Sequence, residues 1–108
     1  MSQQGTAQFD KSDKRASSLV DLVSRQRYAL GDERLTIGRS EDSKVRLKDD
    51  VYVSSHHAEI YFQGDTFWLS DLGSTNGTLK NAAPVTEKPV TIQRGDIITI
   101  GRTRFEVE

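Results

Sequence analysis

The chain lacks cysteine altogether, which excludes disulfide scaffolds, thiolate zinc sites and cysteine nucleophiles. It also lacks an excess of charge, because 15 Lys and Arg stand against 16 Asp and Glu and the formal net charge is −1. This balance offers neither the basic footprint of a nucleic-acid-binding protein nor a polybasic membrane patch. No apolar run has the length of a membrane span, and the N-terminus has no signal-peptide core. We therefore expect a protein of a reducing, cytoplasmic setting that needs no cofactor or metal and binds neither nucleic acid nor membrane.

Apolar residues are scarce in the first part of the chain. Residues 1–18 contain only Met1, Ala7, Phe9 and Ala16 as apolar side chains, and these follow no period. A segment of this composition cannot bury enough apolar surface to order itself, so we predict a flexible tail at 1–18. The remaining residues, 19–108, are enough for one domain with its own core and too few for two.

Within 19–108 the hydrophobic pattern alternates with a period of two, and no window predicts an amphipathic helix. Alternation predicts strands in LVDLV (19–23), RYAL (27–30), RLTIG (34–38), VRLK (45–48), HAEIYF (57–62), TFWLSDL (66–72), DIITI (96–100) and TRFEVE (103–108). Turn residues separate several of them, at Gly31-Asp32, Gly64-Asp65 and Gly101-Arg102. Many short strands at this spacing predict an all-β sandwich or barrel.

Three segments between the strands carry more small polar side chains than a turn requires. They are RSEDSK after Gly38, DDVYVSSHH (49–57) and DLGSTNGT (71–78). If they converge, they bring together an arginine fork, several hydroxyls, glycine-rich backbone N–H groups and an amide. This inventory suits a tetrahedral oxyanion, since arginine binds phosphate in a bidentate geometry and loop N–H groups satisfy further oxygens.

The order of these motifs resembles that of forkhead-associated (FHA) domains, which recognise phosphothreonine peptides. The matching residues are Gly38-Arg39, Ser54-Ser55-His56-His57, DLGSTNGT (71–78) and the closing segment GDIITIGRTRFEV (95–107). The resemblance is collinear and covers about residues 19–108. It implies an FHA/SMAD-like twisted sandwich of two antiparallel sheets with about 11 strands, whose loops at one end form the binding site.

Carried over residue by residue, the resemblance implies that Arg39 and Ser54 hold the phosphate. Ser55 and Thr75 are expected to add hydrogen bonds, and Asn76 to bond the main chain of the ligand. A second group is expected to shape the loops without touching the ligand: Gly38, His57, Gly73 and Gly77. His56 stands where many relatives carry a longer basic residue, so contacts at the rim of the site are expected to differ.

The function that the resemblance implies is non-catalytic recognition of phosphothreonine-containing peptides or proteins, downstream of Ser/Thr kinases. The partner is then a Thr-phosphorylated protein, such as a kinase or its substrate. A phosphorylated Thr6 in the tail would offer a ligand for the same or a neighbouring copy, although a plain leader is the favoured interpretation of the tail.

Two other functions fit parts of the pattern. The domain could instead bind a partner through a sheet face, with the loop residues unused. A hydrolase triad of Ser54, His57 and Asp71 ranks last, because nothing resembles a nucleophile elbow.

Adjacent His56 and His57 make a poor metal pair, since neighbouring residues on a strand point to opposite faces. We interpret Trp68 as a packing residue, and Ser74, Thr78 and Asn81 as turn and strand residues.

Overall fold

Eleven short strands make up the fold in the computed structural model, which describes residues 16–108. In chain order they are β1 (Ser18–Asp21), β2 (Arg27–Ala29), β3 (Leu35–Gly38), β4 (Val45–Arg46), β5 (Ala58–Gln63), β6 (Thr66–Asp71), β7 (Thr78–Lys80), β8 (Ala83–Val85), β9 (Val90–Ile92), β10 (Ile97–Ile100) and β11 (Thr103–Val107). The all-β prediction is confirmed. Across 16–108, no helix has the length and apolar character needed to cross a membrane.

The strands form two sheets, as predicted. The six-stranded sheet has the order β2-β1-β11-β10-β7-β8, and the five-stranded sheet has the order β4-β3-β5-β6-β9. Every pairing is antiparallel except that of β3 with β4, in which Ile37 lies beside Val45 in parallel register. The predicted strand VRLK is therefore wrong in length, because only Val45 and Arg46 join the sheet before the chain leaves for the next loop.

The two sheets bury one apolar core between them. Ile37, Ile60 and Leu69 project into it from the five-stranded sheet, and Ile98, Ile100, Phe105 and Val107 from the six-stranded sheet, each with no more than 1% of its surface exposed. Alternation along each strand leaves polar side chains on the outer faces. The period-two pattern of the sequence thus corresponds to the inward and outward faces of a sandwich.

Trp68 lies on the outer face of the five-stranded sheet, where it is paired across the strands with Tyr61. Its indole Nε1 donates a hydrogen bond to the carbonyl oxygen of Gln63 at 2.9 Å, and its ring is half-buried. These contacts agree with the interpretation of Trp68 as a packing residue.

The turn residues have the backbone conformations that tight hairpins require. Gly64 (φ 62°) and Asp65 (φ 71°) connect β5 to β6, as the GD pair predicts. The Gly31-Asp32 segment differs, because β2 pairs with β1 and β3 pairs with β5, so this connection crosses from one sheet to the other.

Residues 16–18, which the sequence assigns to the tail, make contacts with the folded part. Ala16 is buried, the backbone N–H groups of Ser17 and Ser18 both donate to the carbonyl oxygen of Glu108, and Ser18 opens β1. The hydrogen bonds of Ser17 and Ser18 use the main chain, so the apolar pattern of the sequence does not predict them. The rest of the predicted tail, including Thr6, lies outside the described residues.

Gly38 ends β3 where the chain passes close to a neighbouring loop. A methyl group added to its Cα would overlap the carbonyl oxygen of Ser55 and lie 3.0 Å from the hydroxyl of Ser43. Glycine is required here by the close approach of two backbones. Gly38 therefore sets how near the end of β3 can come to the loop that carries Ser55.

We expect Gly38→Ala to lower the free energy of unfolding by roughly 1–3 kcal/mol, as overpacking in a tight site does. Urea unfolding followed by circular dichroism would measure the change. Gly31→Ala is the matched control, because no atom lies within 4 Å of the added methyl group. We expect that variant to stay within about 0.5 kcal/mol of the wild type. Equal stabilities for the two variants would contradict the role of Gly38.

Candidate functional site

The three polar segments singled out in the sequence meet at one end of the sandwich. They are the first loop (39–44), the second loop (47–57) and the third loop (72–77). The backbone N–H of Arg39 donates to the carbonyl oxygen of Ser54 at 3.0 Å, and that of Ser40 donates to Ser55 at 3.2 Å. The backbone N–H of Thr75 donates to the hydroxyl of Ser54 at 3.1 Å. The second loop is thus bonded to both of the others.

His57 links the second and third loops from within the protein. Its side chain is fully buried, its Nδ1 accepts a hydrogen bond from the backbone N–H of Ser54 at 3.0 Å, and its Nε2 lies 2.8 Å from the carbonyl oxygen of Gly77. Because Nδ1 accepts and a carbonyl can only accept, the proton lies on Nε2. This geometry is the one that the expected loop-shaping role of His57 requires.

Asp71, at the end of β6, organises the third loop. Its carboxylate accepts hydrogen bonds from the backbone N–H groups of Gly73 (3.0 Å) and Ser74 (2.9 Å), and from the hydroxyls of Ser74 (2.6 Å) and Thr78 (2.7 Å). The hydroxyl of Ser74 in turn accepts from the backbone N–H of Gly77 at 2.9 Å. The sequence interpretation of Ser74 and Thr78 as plain turn and strand residues is incomplete, because both hold Asp71 in place.

The protonation of Asp71 follows from these contacts. Burial alone would raise the pKa of its carboxyl group, but the hydrogen bonds from the hydroxyls of Ser74 and Thr78 and from the backbone N–H of Ser74 outweigh burial and lower that pKa below its ordinary value. The third loop is therefore built around an ionised carboxylate at neutral pH.

A cleft of about 320 Å³ opens between the second and third loops, and we call it the loop cleft. Its lining contains all five residues that the sequence predicts to bind a ligand, together with three neighbours: Arg39, Val51, Tyr52, Val53, Ser54, Ser55, Thr75 and Asn76. Of these eight, Arg39 alone carries a charge. The cleft is accordingly a small polar concavity with one cation in its wall.

Two polar side chains of the loop cleft are oriented by hydrogen bonds within the protein, but part of their hydrogen-bonding capacity is unoccupied. Nε of Arg39 donates to the carbonyl oxygen of Val53 at 2.7 Å, and Nδ2 of Asn76 donates to the carbonyl oxygen of Tyr52 at 2.9 Å. Among residues 16–108, the two terminal nitrogens of Arg39 and the Oδ1 atom of Asn76 have no hydrogen-bond partner. These atoms can therefore meet a ligand without first breaking a bond within the protein.

The glycines of the third loop have positive φ angles, 78° at Gly73 and 86° at Gly77. Such angles favour glycine over residues with a side chain. Together with Gly38 and His57, they complete the set expected to shape the loops. All four lie where they can position the cleft walls, and none of them lines the loop cleft.

The residues of the hydrolase alternative do not form a catalytic relay. His57 accepts from the backbone N–H of Ser54, not from its hydroxyl, and the Nε2 atom of His57 lies 4.0 Å from Asp71. A nucleophile needs a hydrogen bond to its base. The hydroxyl of Ser54 instead accepts from Thr75.

The two histidines also fail as a metal pair. His56 is exposed and lies 3.4 Å from the carboxylate of Asp42, whereas His57 is buried between the loops. Nowhere in residues 16–108 do three or more His, Asp or Glu side chains cluster in a way that could hold a metal ion.

Sequence reasoning missed a third organising residue, Asp50. Its carboxylate accepts hydrogen bonds from the backbone N–H groups of Tyr52 (3.1 Å) and Arg102 (2.8 Å) and from the hydroxyl of Thr103 (2.8 Å). It thereby ties the second loop to the β10–β11 turn. An Asp two residues before a backbone donor is a known turn signal. The long-range partners, Arg102 in the β10–β11 turn and Thr103 in β11, cannot be predicted from the sequence.

Comparison with known proteins identifies relatives of the chain. A family model of the FHA domain matches residues 35–101. The FHA domain-containing protein FhaB of Mycobacterium tuberculosis is 40% identical over 81 residues, which are 75% of this chain and 51% of FhaB. The chain thus spans about half the length of the curated relatives it matches.

Solved structures agree in fold. An FHA domain from a study of phosphothreonine-dependent FHA domain interactions superposes with a TM-score of 0.78 and 36% identity, over 86% of this chain and 95% of that domain. EmbR of Mycobacterium tuberculosis, in complex with a low-affinity phosphopeptide, gives a TM-score of 0.79 and 32% identity, over 87% of this chain and 24% of EmbR.

The lowered pKa of Asp71 leads to a prediction about acid stability. A carboxyl group whose folded pKa lies below its unfolded value stabilises the protein above the unfolded pKa, and this contribution is lost as pH falls through the folded pKa. Asp71→Asn should therefore lower the free energy of unfolding at neutral pH by about 1–3 kcal/mol, and less in acid. Urea unfolding at about pH 7 and about pH 3 would test this. The exposed Asp32 provides the control variant Asp32→Asn, and a constant difference between Asp71→Asn and wild type at both pH values would contradict the prediction.

Proposed function

The chain belongs to the FHA domain family, and from this membership we propose that it is a non-catalytic signalling module that binds phosphothreonine-containing peptides or proteins. The observation that carries the proposal is the loop cleft, in which Arg39, Ser54, Ser55, Thr75 and Asn76 converge on a frame held by buried hydrogen bonds. The two FHA structures compared above, one from work on phosphothreonine-dependent interactions and one bound to a phosphopeptide, support the same ligand class.

Arg39 supplies the main attraction for the phosphate. Its Nε is held by Val53, so the guanidinium plane is fixed before the ligand arrives and the two terminal nitrogens face no protein partner in the described chain. A fixed guanidinium can bind two phosphate oxygens at once, which lysine cannot do. Because Arg39 is the single charged residue in the cleft wall, no carboxylate there competes with the ligand.

Hydroxyl and backbone groups then complete the phosphate shell. The hydroxyl oxygen of Ser54 accepts a hydrogen bond from the backbone N–H of Thr75, so its proton remains available to donate to a phosphate oxygen. The hydroxyls of Ser55 and Thr75 are exposed at the cleft and have no partner among residues 16–108. Each hydrogen bond to a charged phosphate contributes about 1.5–3 kcal/mol.

Asn76 is assigned to the main chain of the ligand. Its Nδ2 is held by Tyr52, which fixes the amide plane and leaves Oδ1 available to accept from a peptide N–H. A preference for phosphothreonine over phosphoserine would follow from burial of the extra methyl group, which contributes about 0.8 kcal/mol. Val51, exposed at 71% and lining the cleft, is the apolar side chain available for that contact.

The domain proposed to carry this function comprises residues 19–108, and residues 16–18 pack against it. The partners are Thr-phosphorylated proteins, such as a Ser/Thr kinase or one of its substrates, encountered in the cytoplasm. No cofactor or metal takes part. In any longer protein that contains this domain, the specificity of the loop cleft would determine which phosphoproteins are bound.

Arg39→Ala should weaken the binding of a phosphothreonine peptide by about a hundredfold or more, because two charge-assisted hydrogen bonds are lost. Arg39→Lys should recover only part of the affinity, since it keeps the charge without the bidentate fork. Isothermal titration calorimetry would give the dissociation constants. Arg27→Ala, which removes an exposed cation that pairs with Glu108, is the control.

The matching unphosphorylated peptide separates the alternatives. If it binds as well as the phosphorylated one, the proposed function is wrong. If a protein partner binds regardless of Arg39, recognition through a sheet face is favoured instead.

Binding should also weaken as pH falls through about 6, the second pKa of a phosphorylated side chain. The cleft favours the dianion, so the second pKa of the bound phosphate should be lower than that of the phosphate on the free peptide. The affinity gained from the second negative charge is therefore lost as the free phosphate takes up a proton. Phosphorus NMR titration of the free and bound peptide would measure both pKa values. An unchanged or raised pKa on binding would contradict this prediction.

A further inference from the structure

The third loop contains a dipeptide with a chemistry of its own, Asn76-Gly77. An asparagine followed by glycine is prone to lose its side-chain amide, because glycine has no side chain to hinder the approach of its backbone nitrogen to the amide carbon. The chain has one other asparagine, Asn81, and that residue is followed by Ala82. The side chain assigned to the main chain of the ligand is therefore also the more reactive of the two asparagine amides.

The reaction begins at the backbone nitrogen of Gly77. Once this nitrogen has lost its proton to hydroxide, it attacks Cγ of Asn76, and the new carbon–nitrogen bond closes a succinimide ring. The side-chain nitrogen takes a proton from solvent and leaves as ammonia. Water then opens the ring at either of its carbonyl groups and gives aspartate or isoaspartate. The net change consumes one water and releases one ammonia, so no oxidant, cofactor or enzyme is needed.

Hydrogen bonds of the folded protein hold both reacting groups away from this path. The backbone N–H of Gly77 donates to the hydroxyl oxygen of Ser74 at 2.9 Å. Nδ2 of Asn76 donates to the carbonyl oxygen of Tyr52, also at 2.9 Å. The carbonyl oxygen of Gly77 lies 2.8 Å from Nε2 of His57, which fixes the far side of the same residue. Ring closure therefore requires that the bond between Gly77 and Ser74 break first.

Ser74 opposes the loss of the Gly77 proton as well as the movement of the nitrogen. Its own hydroxyl proton is donated to the carboxylate of Asp71 at 2.6 Å, so its oxygen presents only lone pairs to Gly77. A deprotonated Gly77 nitrogen would face those lone pairs with the Asp71 carboxylate behind them, and a nearby like charge disfavours ionisation. The protection of Asn76 thus depends chiefly on Ser74.

In other respects the dipeptide is open to the reaction. Asn76 is exposed to solvent, and a methyl group added to Cα of Gly77 would have no atom within 4 Å, so nothing crowds the ring that would form. Asn81 differs, because both polar atoms of its side chain are bonded. Its Nδ2 donates to Asp96 at 2.9 Å, and its Oδ1 accepts from the backbone N–H of Ile97 at 2.8 Å. Asn81 is therefore an internal reference for the reactivity of Asn76.

We propose that Asn76 is a latent modification site, which converts to aspartate or isoaspartate when the third loop opens at Ser74 and thereby ends phosphopeptide binding. The loss of binding rests on the function proposed above. The new carboxylate would stand in a cleft wall whose single charge is that of Arg39, where it repels the phosphate and competes for the guanidinium. A bound peptide keeps the loop closed and protects Asn76.

The first experiment compares the folded wild type with S74A and T78V in mildly alkaline buffer, with peptide mass spectrometry to locate the modified residue. S74A removes the acceptor of the Gly77 N–H. T78V removes the other hydroxyl that donates to Asp71 and leaves that acceptor in place. Asn76 should react about tenfold faster in S74A than in the wild type, which corresponds to the loss of one hydrogen bond. T78V should react at nearly the wild-type rate.

Asn81 of the same molecules should remain unmodified, and N76Q should show no change at residue 76, because glutamine closes its larger ring far more slowly. In urea, where the loop contacts are absent, Asn76 should react at one rate in all three proteins. Equal rates for folded S74A and wild type, or modification of Asn81 ahead of Asn76, would overturn the site. If circular dichroism finds S74A unfolded, the wild type decides: its Asn76 should react more slowly folded than in urea, and more slowly still with saturating phosphothreonine peptide.

The second experiment measures the effect on binding by calorimetry. N76A removes the amide, whereas N76D also introduces the charge of the product, so N76D should bind a phosphothreonine peptide about tenfold more weakly than N76A. Equal affinities would contradict the proposed repulsion. If the wild type binds no phosphothreonine peptide, the proposed function is wrong, and mass spectrometry still decides the reactivity of Asn76. If binding depends on Arg39 but Asn76 reacts no faster in S74A, the modification site alone is wrong.

Discussion

The arrangement of the loops depends on the buried imidazole of His57. It accepts a backbone hydrogen bond from one loop through Nδ1 and donates to the backbone of another through Nε2, so one neutral side chain fixes the distance between the two walls of the cleft. Both of its partners are buried or half-buried main-chain groups that would be costly to leave unpaired. A carboxylate or ammonium could not replace it, since neither can both accept and donate in this way at neutral charge.

Around this link, two aspartates hold the two loops that face each other across the cleft. Asp71 holds the third loop from the end of β6, and Asp50 holds the second loop against the start of β11. Carbonyl oxygens of the segment between Asp50 and Ser54 then orient Arg39 and Asn76. The predicted ligand-binding side chains are thus positioned by backbone atoms, which in turn are held by buried polar groups on a rigid sandwich.

Much of this could be predicted from the sequence, and the physical reasons are clear. The alternation in β5, β6, β10 and β11 identified strands because one face of each is buried, and the motifs around Arg39, Ser54 and Asn76 identified the loops. Short strands were harder to predict from the sequence. β8 has three residues and contains Pro84, so its pairing with β7 depends on the neighbouring strand, not on its own pattern. The roles of Asp50 and of the backbone of Ser17 and Ser18 depend on partners distant in the sequence, and no local pattern encodes them.

The pairing of β1 with β11 has a consequence for how the domain can be attached to other chains. Leu19 lies opposite Val107, so both ends of the folded unit emerge side by side, while the β10–β11 turn at the other end of β11 borders the second loop. A tether fused to either end would leave from the pole of the sandwich remote from the cleft. The domain could then be carried on one linker or inserted between two others without obstructing the approach of a phosphorylated partner.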